Sequence, residues 1–278
     1  MNDVNKSLSH RVSMIILGAF LGLLAILACF PFVYMLLLSF TNSTSLRFAL
    51  SDVHLDFVNY KDVFEKTKFI FPLKNSIIVA FFTCLINALF CSMAAYGLEK
   101  KRFAGSKGVF ALYMATLAVP GQVTMIPVFL MMRDLNLMNT YFALICPSVD
   151  AFGVFLIKQF MSSVPDELIE AGQIDGAGEI YTFTKIVIPL IKPALVSLTV
   201  FTFISAWNGF LWPLVICSDS KMQTLPVALS LLKGKFDTNY GLVMAGSTLT
   251  FIFPFLLYAF LQKQFVEGIA LSGVKGRL

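Results

Sequence analysis

Charge is missing from long parts of this 278-residue chain. No Asp, Glu, Lys or Arg occurs in residues 12–46, 75–98, 108–132, 193–218 or 238–262. Each gap exceeds the roughly 20 residues needed to cross about 30 Å of hydrocarbon. With 58% hydrophobic residues, 13% charged residues and a mean hydropathy of +0.81, the composition excludes a soluble globular domain. Histidine is scarce. His10 and His54 both lie outside the uncharged stretches with no nucleophile–base set beside them, which argues against an enzyme. The five cysteines (Cys29, Cys84, Cys91, Cys146, Cys217) have no CxxC spacing and sit in or beside apolar segments. They read as reduced packing residues, not disulfides or metal ligands. There is no GxxxxGK[ST] phosphate loop, hence no ATP site and no cofactor of its own, and no internal repeat is visible.

What is present is an all-α, polytopic membrane protein with six predicted transmembrane helices: 13–40, 75–98, 108–132, 139–160, 190–217 and 241–263. The first run is too long for the apolar core of a signal peptide and has no cleavage pattern, so it reads as a retained helix. Its Gly18 and Gly22 have the GxxxG spacing that permits close helix contact. Residues 41–74 form a loop with an expected interfacial helix near 57–66. The third span is expected to break at Pro120-Gly121 and at Pro127, either as a packing kink or as part of a pathway. The 139–160 span contains Asp150, an ionisable residue in an otherwise apolar helix. Such a group often marks a solute route, and a helix-packing partner is the other reading. With the N-terminus inside, twelve of the 21 Lys and Arg fall on the cytoplasmic side, led by the run 99–107. Residues 1–12, the loop 163–189 and the tail 264–278 are then cytoplasmic. The net charge of +5 needs only lipid headgroups, not nucleic acid.

One stretch stands apart: "EAGQIDGAGEIYTFTKIVIP", residues 170–189, polar and glycine-punctuated between apolar segments. It reads as two short helices around a turn. Ser163 is expected to cap the first, with Pro165, Asp166 and Glu167 in its opening turn. Gly176 and Gly178 supply the turn. The second helix, 179–187, is expected to stop at Ile188-Pro189.

The spacing of Glu170-Ala171-Gly172, Gly176, Ile186 and Ile188-Pro189 resembles the EAA loop of ABC importer permeases, with Gly172 in place of the usual second Ala and Ile188 in place of Leu. The stretches "NSIIVAFFTCLINALFCSMAAYGLEKKRF", "SAWNGFLWPL" and "FVEGIALSGVKG" extend the resemblance to the sugar-transporting, maltose-type branch. The resemblance implies a type I permease domain over 71–262 in a bacterial cytoplasmic membrane. It implies import of a sugar handed over by an extracytoplasmic binding protein, a second, homologous permease, and two ATPase subunits that bind the ATP. It also implies that Glu170, Ala171, Gly172, Asp175, Gly176, Ile186 and Pro189 form a coupling helix seated on an ATPase subunit.

For the route itself the expected residues are Asp150, whose carboxylate accepts sugar hydroxyls, and Trp207 with Asn208. Trp207 reads either as a sugar-stacking face or as an interfacial anchor. The family commonly has an acid after that Asn; Gly209 here removes it. A permease for a non-sugar solute stays open as an alternative, as does, more remotely, a secondary transporter.

Overall fold

The computed structural model describes residues 2–41, 56–101, 103–235 and 239–273, and every regular element among them is helical. In chain order they are α1 Asn2–Ser39, α2 Val58–Thr67, α3 Ile70–Glu99, α4 Ser106–Thr116, α5 Gly121–Asp134, α6 Tyr141–Ile145, α7 Ala151–Met161, α8 Asp166–Ile174, α9 Glu179–Tyr181, α10 Ile188–Leu190, α11 Lys192–Trp207, α12 Leu211–Ile216, α13 Leu225–Lys235 and α14 Tyr240–Gly273. Three helices are long and apolar enough to cross a membrane unaided: Ser13–Ser39 of α1, all of α3, and Tyr240–Phe260 of α14. Three bent pairs, each taken as one span, bring the count among the described residues to six.

The breaks have local causes. α4 and α5 meet at 98° across residues 117–120. Pro120 disfavours helical backbone at the residue before it, and α5 restarts at Gly121. Pro127, expected to break the span as well, is accommodated inside α5. The 139–160 segment is not one helix. α6 passes through a 3₁₀ turn at Cys146–Ser148 and meets α7 at 47°. Pro147 has no N–H to continue the ladder, and Asp150 starts a fresh helix by accepting the Gly153 N–H at 2.9 Å. The 190–217 segment likewise ends as α11 at Trp207 and resumes as α12. A helix running through Pro213 would set its ring against the carbonyl of Gly209, so the chain opens there instead.

The chain divides into two compact units. One comprises Met1–Thr67 with Leu231–Phe251. In it Asn59 donates to the carbonyls of Ser39 and Thr41, both at 2.8 Å, and the Ser39 and Tyr60 hydroxyls share a hydrogen bond of 2.7 Å. Gly241, in the first turn of α14, is pressed against that corner. A Cβ there would lie 1.9 Å from the Thr41 carbonyl oxygen.

The other unit comprises Lys68–Ser230 with Ile252–Leu278 and is organised by α3, which packs along both α7 and α11. Toward the end of α3, Cys91, Ala95, Tyr96 and Leu98 meet Val154, Ile157 and Met161 of α7 and Ala194 and Leu198 of α11. Toward its start, Val79 belongs to a second cluster with Met132, Ala143–Ile145 and Ile216. Two buried asparagines of α3 hold the breaks. Asn87 donates to the Ser148 carbonyl (3.2 Å) and to the Thr202 hydroxyl (3.3 Å) and accepts from Cys91 Sγ (3.0 Å). Asn75 donates to the carbonyls of Lys221 and Gln223 and accepts from Tyr141 at 2.7 Å. A carbonyl freed by a helix break must find a donor inside the protein, and Asn87 supplies it for Ser148 at the α6–α7 break, while Asn75 ties down the connection between α12 and α13.

Candidate functional site

The polar stretch after α7 folds as a compact two-limbed loop. α8 opens on Pro165, in extended backbone, with Asp166 and Glu167 in its first turn, where carboxylates favour the positive helix end. Ser163 does not cap α8 as expected. Its hydroxyl donates to the Phe160 carbonyl at 2.7 Å and so closes α7, because Val164 and Pro165 carry the chain past capping reach. The other end of α8 is a Schellman turn. Ala177 N–H bonds Gly172 (2.9 Å), Gly176 N–H bonds Gln173 (3.0 Å), and Gly176 takes φ +81°, which L side chains avoid. Gly178 needs no such freedom, at φ −71°.

The second limb does not stop at Ile188-Pro189. α9 widens into a π-helical turn at Thr182–Val187, and the helix runs through Pro189 to Leu190 as α10. Pro189 has no N–H to donate and its ring crowds the preceding turn; the wider turn relieves both.

One face of the loop is buried. Ile169, Val164, Val187 and Ile191 join the core formed by α3, α7 and α11. Gly172 lets Ile186 close over α8, since a Cβ at 172 would meet Ile186 Cδ1 at 2.6 Å. Charge fixes the edges. Lys100 Nζ donates to the Val164 carbonyl and to Asp166, both at 2.5 Å, with its own side chain only 4% exposed. Lys101 donates to Glu179, which also accepts from the Tyr96 hydroxyl at 3.2 Å. That carboxylate raises the Lys101 pKa above its ordinary value, mainly through the hydrogen bond between them. Glu99 pairs with Lys158 of α7 at 2.6 Å.

The opposite face is open to solvent. It carries Glu170, Ala171 and Asp175, with Leu168 and Tyr181 also exposed, and Ile174 and Ile180 projecting at 86% and 81% exposure. This face thus exposes two large aliphatic side chains and two carboxylates on one loop. Of the residues expected to act together, Glu170, Ala171 and Asp175 lie on this open face. Gly172 and Ile186 hold the fold behind it, Gly176 makes the turn, and Pro189 is exposed at its far end. Sequence reasoning missed Ile174 and Ile180. It also missed the anchoring by Glu99, Lys100 and Lys101, read then only as markers of membrane side.

The expected route residues separate. Asp150 lines a cavity of about 920 Å³ walled by Phe82, Phe90, Tyr113 and Phe142 among others. It sits at the break between α6 and α7, not within a continuous helix. Trp207 is buried, 1% exposed, between Phe203 and Phe253 with ring centroids 5.4 and 5.3 Å away. It is packed there with no free face for stacking. Asn208 is exposed at the end of α11, and neither it nor Trp207 lines the Asp150 cavity.

Known proteins resemble the chain closely. It is 34% identical over 262 residues to the arabinooligosaccharides transport system permease protein AraQ of Halalkalibacterium halodurans, covering 91% of this chain and 93% of that one. It is 34% identical over 272 residues to the trehalose/maltose transport system permease protein MalG of Thermococcus litoralis (95% and 96% covered). It is 31% identical over 272 residues to the lactose transport system permease protein LacG of Rhizobium radiobacter (97% and 99%). Its fold matches a chain in the crystal structure of a bacterial ABC transporter involved in the import of the acidic polysaccharide alginate. The TM-score is 0.80 at 27% identity, over 92% of this chain and 98% of that one. Residues 87–270, more than half of the sequence, match the family model described as binding-protein-dependent transport system inner membrane component, and the chain belongs to that family.

Proposed function

We propose that this permease forms half of the sugar-conducting path of an ATP-driven importer and receives the ATPase's motion through the loop of α8 and α9. The chain is a multi-pass transport subunit, not an enzyme. The sugar assignment draws on relatives named for arabinooligosaccharide, lactose and maltose transport. The observation that carries the coupling role is the rigid loop with exposed Glu170, Ile174 and Ile180 on one face and its other face sealed into the helices that reach the cavity. The loop side is then cytoplasmic, and two ATPase subunits serve this chain and a second, homologous permease. An extracytoplasmic binding protein delivers the sugar. In the cycle, closure of the ATPase pair pushes the loops together, the permease pair opens outward, and hydrolysis returns it inward. α1 fits the paired arrangement, since no side chain in its most apolar part is buried by its own chain.

Glu170→Lys is the test. A charge-assisted pair at a partly desolvated interface is worth about 2–5 kcal/mol when one partner is removed. Reversal should release the ATPase more readily as salt rises, while the variant still inserts and pairs with the second permease. Full ATPase retention with normal uptake would mean that the loop is not the docking element.

A further inference from the structure

The sequence Glu99-Lys100-Lys101 spans the end of α3, and its three consecutive charges tie that chain segment to three different elements. Glu99 is the last residue of α3, Lys100 its C-cap and Lys101 the bend that follows, and the two lysines reach opposite limbs of the loop. Lys100 holds the first limb, at the Val164 carbonyl and Asp166. Lys101 holds the second at Glu179, which the Tyr96 hydroxyl on the same helix also grips. Glu99 reaches Lys158 on α7. The Lys101–Glu179 pair is open to water, with side chains 37% and 60% exposed, and pairs of that kind contribute little to folding. What the pair does fix is geometry. The same helix that takes these contacts at its end supplies Phe82, Ile86, Phe90 and Met93 to the wall of the Asp150 cavity.

We infer that Lys100 and Lys101 are positioning residues of the transport cycle: by tying both limbs of the loop to the end of α3, they deliver the loop's displacement to the helix that walls the cavity. This rests on the reading of the loop as the docking element. Without the ties, the loop is joined to α3 only through its apolar face, and less of its displacement reaches the cavity wall per ATP spent.

Cys146 gives a native reporter, because it is exposed and lines the cavity. In the complete importer reconstituted in proteoliposomes, its modification by a membrane-impermeant maleimide is followed by peptide mass spectrometry, with and without ATP plus vanadate. Coupling between distant sites typically spans about 5–150-fold. Lys101→Glu and Glu179→Lys, each alone, should therefore cut the nucleotide-dependent change in Cys146 labelling at least about 5-fold. The ATPase should still co-purify, since the open face is untouched. The double variant Lys101→Glu/Glu179→Lys restores the pair with its sign reversed and should recover the wild-type change, which also rules out a simple folding defect. Wild-type labelling in both single variants, a double variant that stays defective, or loss of the ATPase from the single variants would each overturn the inference. Full ATPase retention with normal uptake in Glu170→Lys removes the docking reading beneath it. Unchanged labelling in Lys101→Glu with the ATPase bound removes this inference alone.

Discussion

At positions 75 and 87 an asparagine donates its side-chain N–H groups to oxygens that the chain brings from far away. Asn87 reaches Ser148 and Thr202; Asn75 reaches Lys221, Gln223 and Tyr141. Nothing in the neighbourhood of either residue announces this, since the partners are mostly backbone carbonyls and carbonyls leave no trace in a sequence. Gly176 is the opposite case. Its turn closes within α8 and the three residues after it, so the local glycine pattern is sufficient to place it. Asp150 lies between these extremes. Its isolation in an apolar stretch was visible, but its place at a helix start was not, because the break depends on Pro147 and on donors from α3. That placement sharpens its test. Asn caps helices as well as Asp does, so Asp150→Asn keeps the hydrogen bond to Gly153 and removes only the charge. If the carboxylate meets sugar hydroxyls in the cavity, losing charge-assisted hydrogen bonds of about 1.5–3 kcal/mol should lower uptake by the reconstituted importer about 10- to 100-fold. Assembly should be unchanged. Wild-type uptake would leave Asp150 with the cap alone.

Among the elements, composition revealed the apolar spans but not where they break. Three long uninterrupted helices and two of the three bent pairs came from stretches that look alike in hydropathy, while the third, 179–190 with α11 at 78°, begins in the polar loop. A proline marks each break in the sequence, yet Pro127 sits inside α5 and Pro254 inside α14 with the helix continuing. Whether a proline breaks a helix depends on what accepts the freed backbone groups, which is a tertiary matter. The corner of α1, α2 and α14 is similar. Gly241 looks like any membrane glycine, but it is the point where one helix start meets the carbonyl of Thr41. Gly241→Ala should therefore cost about 1–3 kcal/mol, the range for overpacking against groups that cannot yield. A fall in the melting temperature of the detergent-purified complex would report it. An unchanged melting curve would mean that this corner opens without cost.

For the molecule as a whole, the division of labour follows from what the chain does not encode. Without a phosphate loop, it should hydrolyse no ATP when purified free of every partner, and turnover should appear only when the ATPase subunits are added back. Turnover that survives rigorous removal of all partners, confirmed by mass spectrometry, would contradict the assignment. The side chains that face water on the loop also bear on how much of this protein a cell can safely hold. Ile174 and Ile180 lie bare at the tip of a structure that is already rigid, so they stay bare until something covers them. A subunit made in excess of its ATPase carries an adhesive spot on every copy, ready to clump or to be recognised as damaged. Where the ATPase covers these two isoleucines, as proposed, the two subunits need balanced synthesis, and raising the dose of this subunit alone should shorten its lifetime.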